Sequence, residues 1–231
     1  MTSGTREKLL MSLNYRFGDP SLLVTALSHK SHVNENPDHP GGDNERLEFL
    51  GDAVLDLVVS DCMFNRYPEL AEGEMTRVRA EVVSEKNLAA VGRDIGLGQH
   101  LLLGKGERLT GGDDKDSLLA DALEAVFGAI YLDGGYAAVR PAVLGLLSDQ
   151  VDLAVERKRG LDYKTRLQEF VQARYGMVPQ YAMLETSGPD HGRTYRVAVS
   201  FADHSFGPGS GRTKKKAEQD AARLALKGLG D

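Results

Sequence analysis

The sequence predicts two domains, an all-α domain followed by a small α+β domain of order α-β-β-β-α. In residues 5–155 apolar side chains recur every three or four positions and strand-like alternation is scarce, which favours helices throughout. Residues 161–231 instead show alternating apolar and polar side chains between two helical patterns, as a small sheet flanked by helices requires. The charged stretch Glu-Arg-Lys-Arg-Gly at 156–160 is the predicted linker.

The predicted helices of the first domain are separated by segments rich in residues that break helices. Asn, Pro and Gly crowd residues 34–43, and Gly with charged residues crowds 104–116. We therefore expect loops at these two places and helices elsewhere. The apolar spacing is helical at 21–29, 46–64, 74–95, 117–132 and 136–155.

The second domain is predicted to begin with a helix at 164–175 and to end with one at 214–226. In the middle of the intervening segment Tyr195, Val197 and Val199 alternate with smaller or polar residues, which is typical of a half-buried strand. The glycines of 207–211 predict a loop before the last helix, where the backbone could approach a partner closely. The three predicted strands lie near 179–187, 193–203 and 204–208.

Composition and charge limit the class of protein. A hydrophobic content of 41% and a charged content of 27% are ordinary for a soluble globular protein. Cys62 is the single cysteine, which excludes internal disulfides and thiolate zinc sites, and without a signal-peptide pattern we expect a cytoplasmic protein. The net charge is −6, yet residues 162–231 hold 11 Lys and Arg against 8 Asp and Glu. The acidic first domain could hold cations, whereas the basic second domain could meet phosphates.

A stripe of acids runs through the most apolar predicted helix. Glu45, Glu48 and Asp52 share one helical face and are surrounded by Leu, Phe and Val. A solvated helix face is the ordinary explanation of such spacing. The apolar residues around the acids predict instead that the helix is mostly buried. Repelling carboxylates there need a cationic partner or a metal, and Mg²⁺ suits oxygen ligands.

A second acidic pair lies far downstream in a similar setting. Asp121 and Glu124 are the only charges between residues 117 and 132, and a carboxylate pair in so apolar a helix is costly unless it is neutralised. Two apolar helices that each carry acids predict a shared carboxylate cluster where the helices meet.

The second domain carries candidates for contact with double-stranded RNA. Lys214, Lys215 and Lys216 open the final helix, where the helix dipole and unpaired N–H groups already favour anions. Gln168 and Glu169 could hydrogen-bond 2′-hydroxyls, and His191 lies in a predicted loop that could enter a minor groove. A solvated lysine cluster and an exposed loop histidine are the alternatives to be weighed.

Residues 44–55, Asn-Glu-Arg-Leu-Glu-Phe-Leu-Gly-Asp-Ala-Val-Leu, resemble the signature of bacterial ribonuclease III. The similarity extends over Glu72-Gly73, Leu-Leu-Leu-Gly-Lys-Gly at 101–106 and Ser117 to Glu124. Residues 161–231 resemble the double-stranded-RNA-binding domain that follows the nuclease in that family. The resemblance thus implies an endonuclease domain at 5–155 and an RNA-binding domain at 161–231; residues 1–12 and 34–43 match weakly.

The resemblance implies an endoribonuclease that cuts double-stranded RNA, works as a homodimer and uses Mg²⁺, with Mn²⁺ able to replace it. Asp52 and Glu124 are the implied catalytic pair, and Phe49 is implied to dock into the partner subunit, although a core Phe is the plain alternative. By the same resemblance the metal ligands are Glu48, Asp52, Asp121 and Glu124, the accessory acids are Glu45 and Glu72, and the RNA contacts are Gln168, Glu169, His191, Lys214, Lys215 and Lys216.

The implied reaction is hydrolysis by water that leaves 5′-phosphate and 3′-hydroxyl ends with short 3′ overhangs. Precursors of ribosomal RNA and some messenger RNAs are the implied substrates, and DNA is expected to be rejected because it lacks 2′-hydroxyls. Two rival functions stay open at this stage: a regulator that binds double-stranded RNA without cutting it, and a metal-dependent phosphohydrolase of small nucleotides. The six acids argue against the first rival, and the basic domain argues against the second.

Overall fold

The computed structural model describes residues 3–159, 163–187 and 193–229. The chain forms two compact units, Met1–Val155 and Glu156–Asp231. The first unit is helical, as predicted. Its described helices are α1 (Ser3–Ser12), α2 (Pro20–Ala26), α3 (Lys30–Glu35), α4 (Glu45–Arg66), α5 (Glu72–Val82), α6 (Glu85–Asp94), α7 (Lys105–Leu109) and α8 (Asp116–Arg159), with 3₁₀ turns at Leu97–His100 and Gly112–Asp114.

Helix α8 bends at one residue. Gly135 has φ 72° and ψ −170°, outside the helical region, and glycine adopts such a backbone without the steric cost that a side chain would add. The bend falls between the two helical patterns predicted at 117–132 and 136–155.

Several predicted boundaries differ from the observed ones. The segment 104–116, predicted as a loop, contains the short helix α7 and the 3₁₀ turn Gly112–Asp114. The pattern at 74–95 is two helices, α5 and α6, because the backbone is extended at Ser84 (ψ 144°), whose hydroxyl donates to the carbonyl oxygen of Glu81. The stretch 156–159, predicted as part of a linker, is the last turn of α8. Glu, Arg and Lys are good helix formers, so a charged composition alone does not end a helix.

Helices α4 and α8 cross with their backbones in contact. A Cβ atom added to Gly51 would lie 1.8 Å from the carbonyl oxygen of Glu124, and one added to Gly128 would lie 2.3 Å from that of Leu47. Both glycines are buried. Since residues one turn away from a crossing point are neighbours, the acids of α4 and those of α8 are brought to the same place.

The second unit is an α-β-β-β-α domain, as predicted. Its sheet is antiparallel in the order β1-β2-β3. Leu167 and Val171 of the first helix and Ala221 and Leu226 of the last share one apolar core with Val199 of the sheet. The elements are α9 (Tyr163–Tyr175), β1 (Gln180–Ser187), β2 (Thr194–Phe201), β3 (His204–Gly211) and α10 (Lys214–Leu229).

The glycine-rich segment before α10 corrects one prediction. Residues 207–211 belong to strand β3 and do not form a loop. A Cβ atom on Gly209 would lie 2.1 Å from the amide nitrogen of Ala221, and one on Gly211 would lie 2.6 Å from that of Ala217. The close approach that these glycines permit is therefore to the chain's own helix α10, not to a partner.

We expect the substitution Gly51→Ala to destabilise the protein by about 2 kcal/mol or more, because the added methyl group overpacks the helix crossing. Gly145→Ala is the matched control, since Gly145 lies in α8 with nothing within 4 Å of its added Cβ atom. That control should be neutral or stabilise by about 0.5–1 kcal/mol, as alanine replaces glycine in an exposed helix position. Thermal and urea unfolding of the full chain measure both changes; equal stabilities of the two variants would contradict the tight crossing.

Candidate active site and nucleic-acid interface

The acids of α4 are less buried than the sequence suggests. Helix α4 buries one face only, through residues such as Leu47, Val54 and Leu55. Glu48 is half-buried beside that face, whereas Glu45 and Asp52 are exposed. The prediction of a mostly buried helix was therefore wrong for the single chain, because the apolar residues of α4 include Phe49 and Leu57, which are exposed.

Glu124 of α8 is the electrostatic centre of the site. It is half-buried, and burial raises its pKa to about 8, assisted by the charges of Asp52, Asp121, Glu48 and Asp56. Those charges come from both helices, so the crossing at Gly51 and Gly128 does bring the two acidic sets into one electrostatic neighbourhood. Asp56 was not among the predicted site residues.

The pKa values of Glu48 and Asp121 are raised as well. Burial raises the pKa of Glu48, and the charges of Asp121 and Glu45 add to the effect. Burial also raises the pKa of Asp121, with a contribution from Glu85. Three of the four predicted metal ligands therefore hold their protons more tightly than a free carboxylic acid does, which is the signature of negative charges held close together in a poorly solvated place.

The four central acids lack the partners that other acids of the chain have. Asp133 accepts hydrogen bonds from the hydroxyl of Tyr15 and from two backbone amides, and Asp61 accepts from Tyr136 and Arg140. Among the described residues no hydrogen bond or ion pair satisfies the following four carboxylates: Glu48, Asp52, Asp121 and Glu124. Three of them, Glu48, Asp121 and Glu124, are half-buried. Half-buried acids without a partner are costly, so this arrangement is not explained by stability of the fold.

The donor chemistry fits a hard dication. Carboxylate oxygens are the ligands that Mg²⁺ and Mn²⁺ prefer, and a bound cation would relieve the repulsion that raises the pKa of Glu124. As the side chains stand, no three His, Cys, Asp or Glu residues in the described part of the chain already converge on one point that could hold a metal ion. The crossing of the two helix backbones places the acids near one another. To bind one ion, their carboxylates would have to turn towards a common centre.

A lysine that sequence reasoning missed sits at the edge of this cluster. The ammonium group of Lys30 in α3 lies 2.9 Å from a carboxylate oxygen of Glu45, and its charge opposes the rise in pKa of both Glu48 and Asp121. The position is fixed by a short parallel bridge in which the amides of Leu102 and His29 bond across to Leu27 and Leu102. Lys30 lies 15 residues before Glu45, so no helical spacing could have revealed the pair.

Two further predicted residues, Glu72 and Phe49, are exposed. Glu72 is exposed at the start of α5, accepts a hydrogen bond from Thr76, and borders a groove of about 480 Å³ whose walls include Leu57 and Phe64. Phe49 is 82% exposed, which rules out the alternative that it is an ordinary core residue of this chain.

The predicted RNA contacts of the second unit lie on its surface. Lys214, Lys215 and Lys216 are exposed in the first turn of α10, where the hydroxyl of Thr213 accepts from the amide of Lys216 and so caps the helix. Gln168 and Glu169 are exposed on α9. His191 lies outside the described residues.

Without divalent cations, the stability of the folded protein should fall as the pH rises from about 5 to about 8. The pKa of Glu124 is raised from 4.5 to about 8 in the folded protein, so the folded state binds that proton more tightly than the unfolded state, and the advantage is lost as the acid ionises. Glu124→Gln removes this loss. Thermal unfolding in EDTA should therefore show the variant to be less sensitive to pH than the unsubstituted protein and more stable near pH 9.

The exposed Glu45 provides a control, since Glu45→Gln should follow the unsubstituted protein more closely than Glu124→Gln does. If the Glu124→Gln variant loses stability over this pH range as steeply as the unsubstituted protein, the raised pKa of Glu124 is contradicted.

Both units of the chain are similar to known proteins. The family model described as Ribonuclease-III-like matches residues 19–150, and the model described as Double-stranded RNA binding motif matches residues 163–229. Ribonuclease 3 of Syntrophotalea carbinolica is 51% identical over 94% of this chain and 94% of its own, and Ribonuclease 3 of Symbiobacterium thermophilum is 47% identical over 96% and 94%.

Solved structures of the nuclease domain of ribonuclease III from Campylobacter jejuni are also similar. Two of them have TM-scores of 0.57 and 0.58 with identities of 43% and 42%, and they cover 62% and 64% of this chain and 96% of their own. No helix among the described residues combines the length and the apolar character needed to cross a membrane. The chain belongs to the ribonuclease III family and is an endoribonuclease that carries a double-stranded RNA binding motif.

Proposed function

We propose that the chain hydrolyses phosphodiester bonds of double-stranded RNA with the help of Mg²⁺, which Mn²⁺ can replace. The observation that carries the proposal is the set of four carboxylates without partners at the crossing of α4 and α8, with the pKa of Glu124 raised to about 8. Together with the basic second unit, this set favours cleavage over simple binding. The proposed domains are an endonuclease at 5–155 and an RNA-binding domain at 161–231.

In the proposed site the metal ligands are Glu48, Asp52, Asp121 and Glu124. A dication held there would polarise the scissile phosphoryl group and would make water a stronger nucleophile. Asp52 and Glu124 are the proposed catalytic pair. Glu124 would release its proton to solvent on binding the cation, and Asp52 is exposed, as access of RNA to the pair requires. Glu45 and Glu72 are proposed to be accessory acids, and Lys30 holds Glu45 in place.

Attack by water on the phosphorus leaves a 5′-phosphate and a 3′-hydroxyl. In a two-fold dimer each subunit would cut one strand, and the offset between the two sites would give short 3′ overhangs. We propose precursors of ribosomal RNA and some messenger RNAs as substrates and the cytoplasm as the location, in keeping with the single, buried thiol of Cys62.

The proposed dimer uses the outward face of α4. Phe49, Ala53, Leu57 and Phe64 form an exposed stripe along one side of that helix, and stripes of this kind mark interaction surfaces. One Campylobacter structure is described as showing flexibility in a region involved in dimer formation. We propose that Phe49 of each subunit enters the groove beside Leu57 and Phe64 of the other, which pairs the surfaces symmetrically.

The central experiment is incubation of the full chain with end-labelled long double-stranded RNA, in Mg²⁺ and in EDTA, beside single-stranded RNA and a DNA duplex. We expect cleavage of the RNA duplex alone, only with the metal, into staggered fragments with 5′-phosphate ends. Binding without cutting in Mg²⁺ would contradict the proposed reaction.

We expect Asp52→Asn and Glu124→Gln each to lower the rate of cleavage about a thousandfold or more, because losing a metal ligand removes several kcal/mol of transition-state stabilisation. Affinity for the RNA duplex, measured in EDTA, should stay the same. Asp38→Asn, at an exposed acid of the loop before α4, is the control and should cut normally. Retained cleavage by purified Glu124→Gln protein would refute the assignment of the site.

Phe49→Ala should weaken the dimer about a thousandfold, since a buried aromatic anchor contributes at least about 2 kcal/mol and a two-fold interface contains it twice. Sedimentation velocity over a range of concentrations measures the shift. Leu109→Ala is the control, because Leu109 is 87% exposed in α7, outside the stripe. Equal dissociation constants for the two variants would exclude Phe49 from the interface.

A further inference from the structure

The most basic surface of the second unit contains an acid that is almost buried. Glu218 lies one turn into α10, and its side chain is only 13% exposed. One of its carboxylate oxygens lies 2.7 Å from the ammonium group of Lys164, and the other lies 4.0 Å from that of Lys214. A carboxylate at this position opposes the attraction of phosphates, so its presence requires a reason other than charge.

Lys164 is held on three sides. Its ammonium group donates to Glu218 and lies 4.5 Å from the centre of the Tyr181 ring, and its backbone amide donates to the side chain of Gln219 at 3.0 Å. Charge-assisted hydrogen bonds in a partly buried setting are stronger than exposed ion pairs. The second residue of α9 is therefore fastened to the second turn of α10.

These contacts between Lys164 and α10 lie near the beginnings of the two helices that are proposed to contact RNA. Lys214 opens α10 and faces Glu218, whereas Gln168 follows Lys164 by one turn on α9. The duplex must meet both helices at once, because double-stranded RNA is recognised through its minor grooves and through the phosphates of the major groove between them. The spacing between the two helix starts therefore decides whether all the contacts can form together.

We propose that Glu218 is a positioning residue for the grip on double-stranded RNA. By bonding to Lys164 it holds the start of α9 to α10 at the spacing that the duplex requires, and its other oxygen orients Lys214 on its own helix. The inference rests on the proposed function of the second unit. Positioning by Glu218 predicts that removal of its charge weakens RNA binding, whereas simple electrostatics predicts that the same change strengthens it.

A purely electrostatic role and a positioning role of Glu218 predict opposite effects of Glu218→Gln on RNA affinity. If only charge mattered, removing a negative group beside a phosphate-binding surface would strengthen binding, by about twofold at most in water and salt. If Glu218 positions the lysines, binding instead weakens by about tenfold, because two long side chains must then be ordered by the RNA itself.

The test is the affinity of the full chain for an RNA duplex of several helical turns, followed by fluorescence anisotropy in EDTA over a series of salt concentrations. Asp203→Asn is the matched control, because it removes the same charge from an exposed turn between β2 and β3. That turn lies at the end of the sheet where Phe206 contacts Gly228, near the end of α10 and not its beginning. The joint substitution of Lys214, Lys215 and Lys216 by Ala marks the loss expected when the phosphate contacts themselves are removed.

We expect Glu218→Gln to bind about tenfold more weakly than Asp203→Asn and to show a shallower dependence on salt, since fewer phosphates are then contacted at once. Binding by Glu218→Gln that equals or exceeds that of Asp203→Asn would overturn the inference while leaving the proposed function intact. Failure of the unsubstituted protein to bind the duplex would overturn both.

A second pair of variants separates positioning from folding. Lys164→Gln breaks the bond to Glu218 from its other end. The loss of affinity in the double variant with Glu218→Gln should therefore be smaller than the sum of the two single losses, because that bond can be lost only once. Losses that simply add would show that the two residues act independently and would overturn the inference, whatever the melting temperature of either variant.

Discussion

The contact between the backbones of α4 and α8 is the constraint on which the site depends. With Gly51 and Gly128 at the crossing, no side chain separates the two helices. Residues one turn away on each helix then become neighbours, and those residues are acids. A larger residue at either glycine would push the helices apart and separate the carboxylates, so the geometry of the site and the packing of the core have a single origin.

The fold tolerates this site although the site does not stabilise it. The first half of α8 is buried through large apolar side chains such as Leu119, Leu123 and Phe127, and burial of each contributes about 1.5–3 kcal/mol. That packing offsets the cost of holding Glu124 half-buried among other carboxylates. Asp61 and Asp133 of the same unit are, by contrast, satisfied by tyrosines, an arginine or backbone amides.

The two units differ in charge. Clustered carboxylates such as those of the first unit repel phosphates unless a cation is present, whereas exposed lysines such as those of α10 attract phosphates without one. In the proposed function, affinity and cleavage can therefore be varied separately. In the second unit Glu218 stands between lysines, and its near burial distinguishes it from the acids that merely decorate a surface.

Much of this arrangement could be predicted from the sequence, and the failures have physical causes. Helical spacing placed Glu48 with Asp52 and Asp121 with Glu124, and strand alternation in 195–201 predicted β2 correctly. The burial of α4 was overestimated because its outward apolar residues, Phe49 and Leu57, look like core residues in a sequence.

Other features could not be found by local patterns. Residues 207–211 looked like a loop because glycine is common in loops, but here glycines allow a strand to touch a helix. Lys30, which is remote in sequence from the acids, approaches Glu45 only through the bridge between residues 27–29 and 102. The partnership of Glu218 with Lys164 joins residues 54 positions apart and likewise depends on the tertiary fold.

The most direct test of the proposed cation site is calorimetric titration of Mg²⁺ into the full chain and into a variant that carries Glu48→Gln, Asp52→Asn, Asp121→Asn and Glu124→Gln together. We expect saturable binding by the unsubstituted protein and none by the variant, which should still fold because the four neutral side chains no longer repel one another. Equal binding of Mg²⁺ by both proteins would contradict the proposed site, since the cluster at the helix crossing would then not be the place where the cation acts.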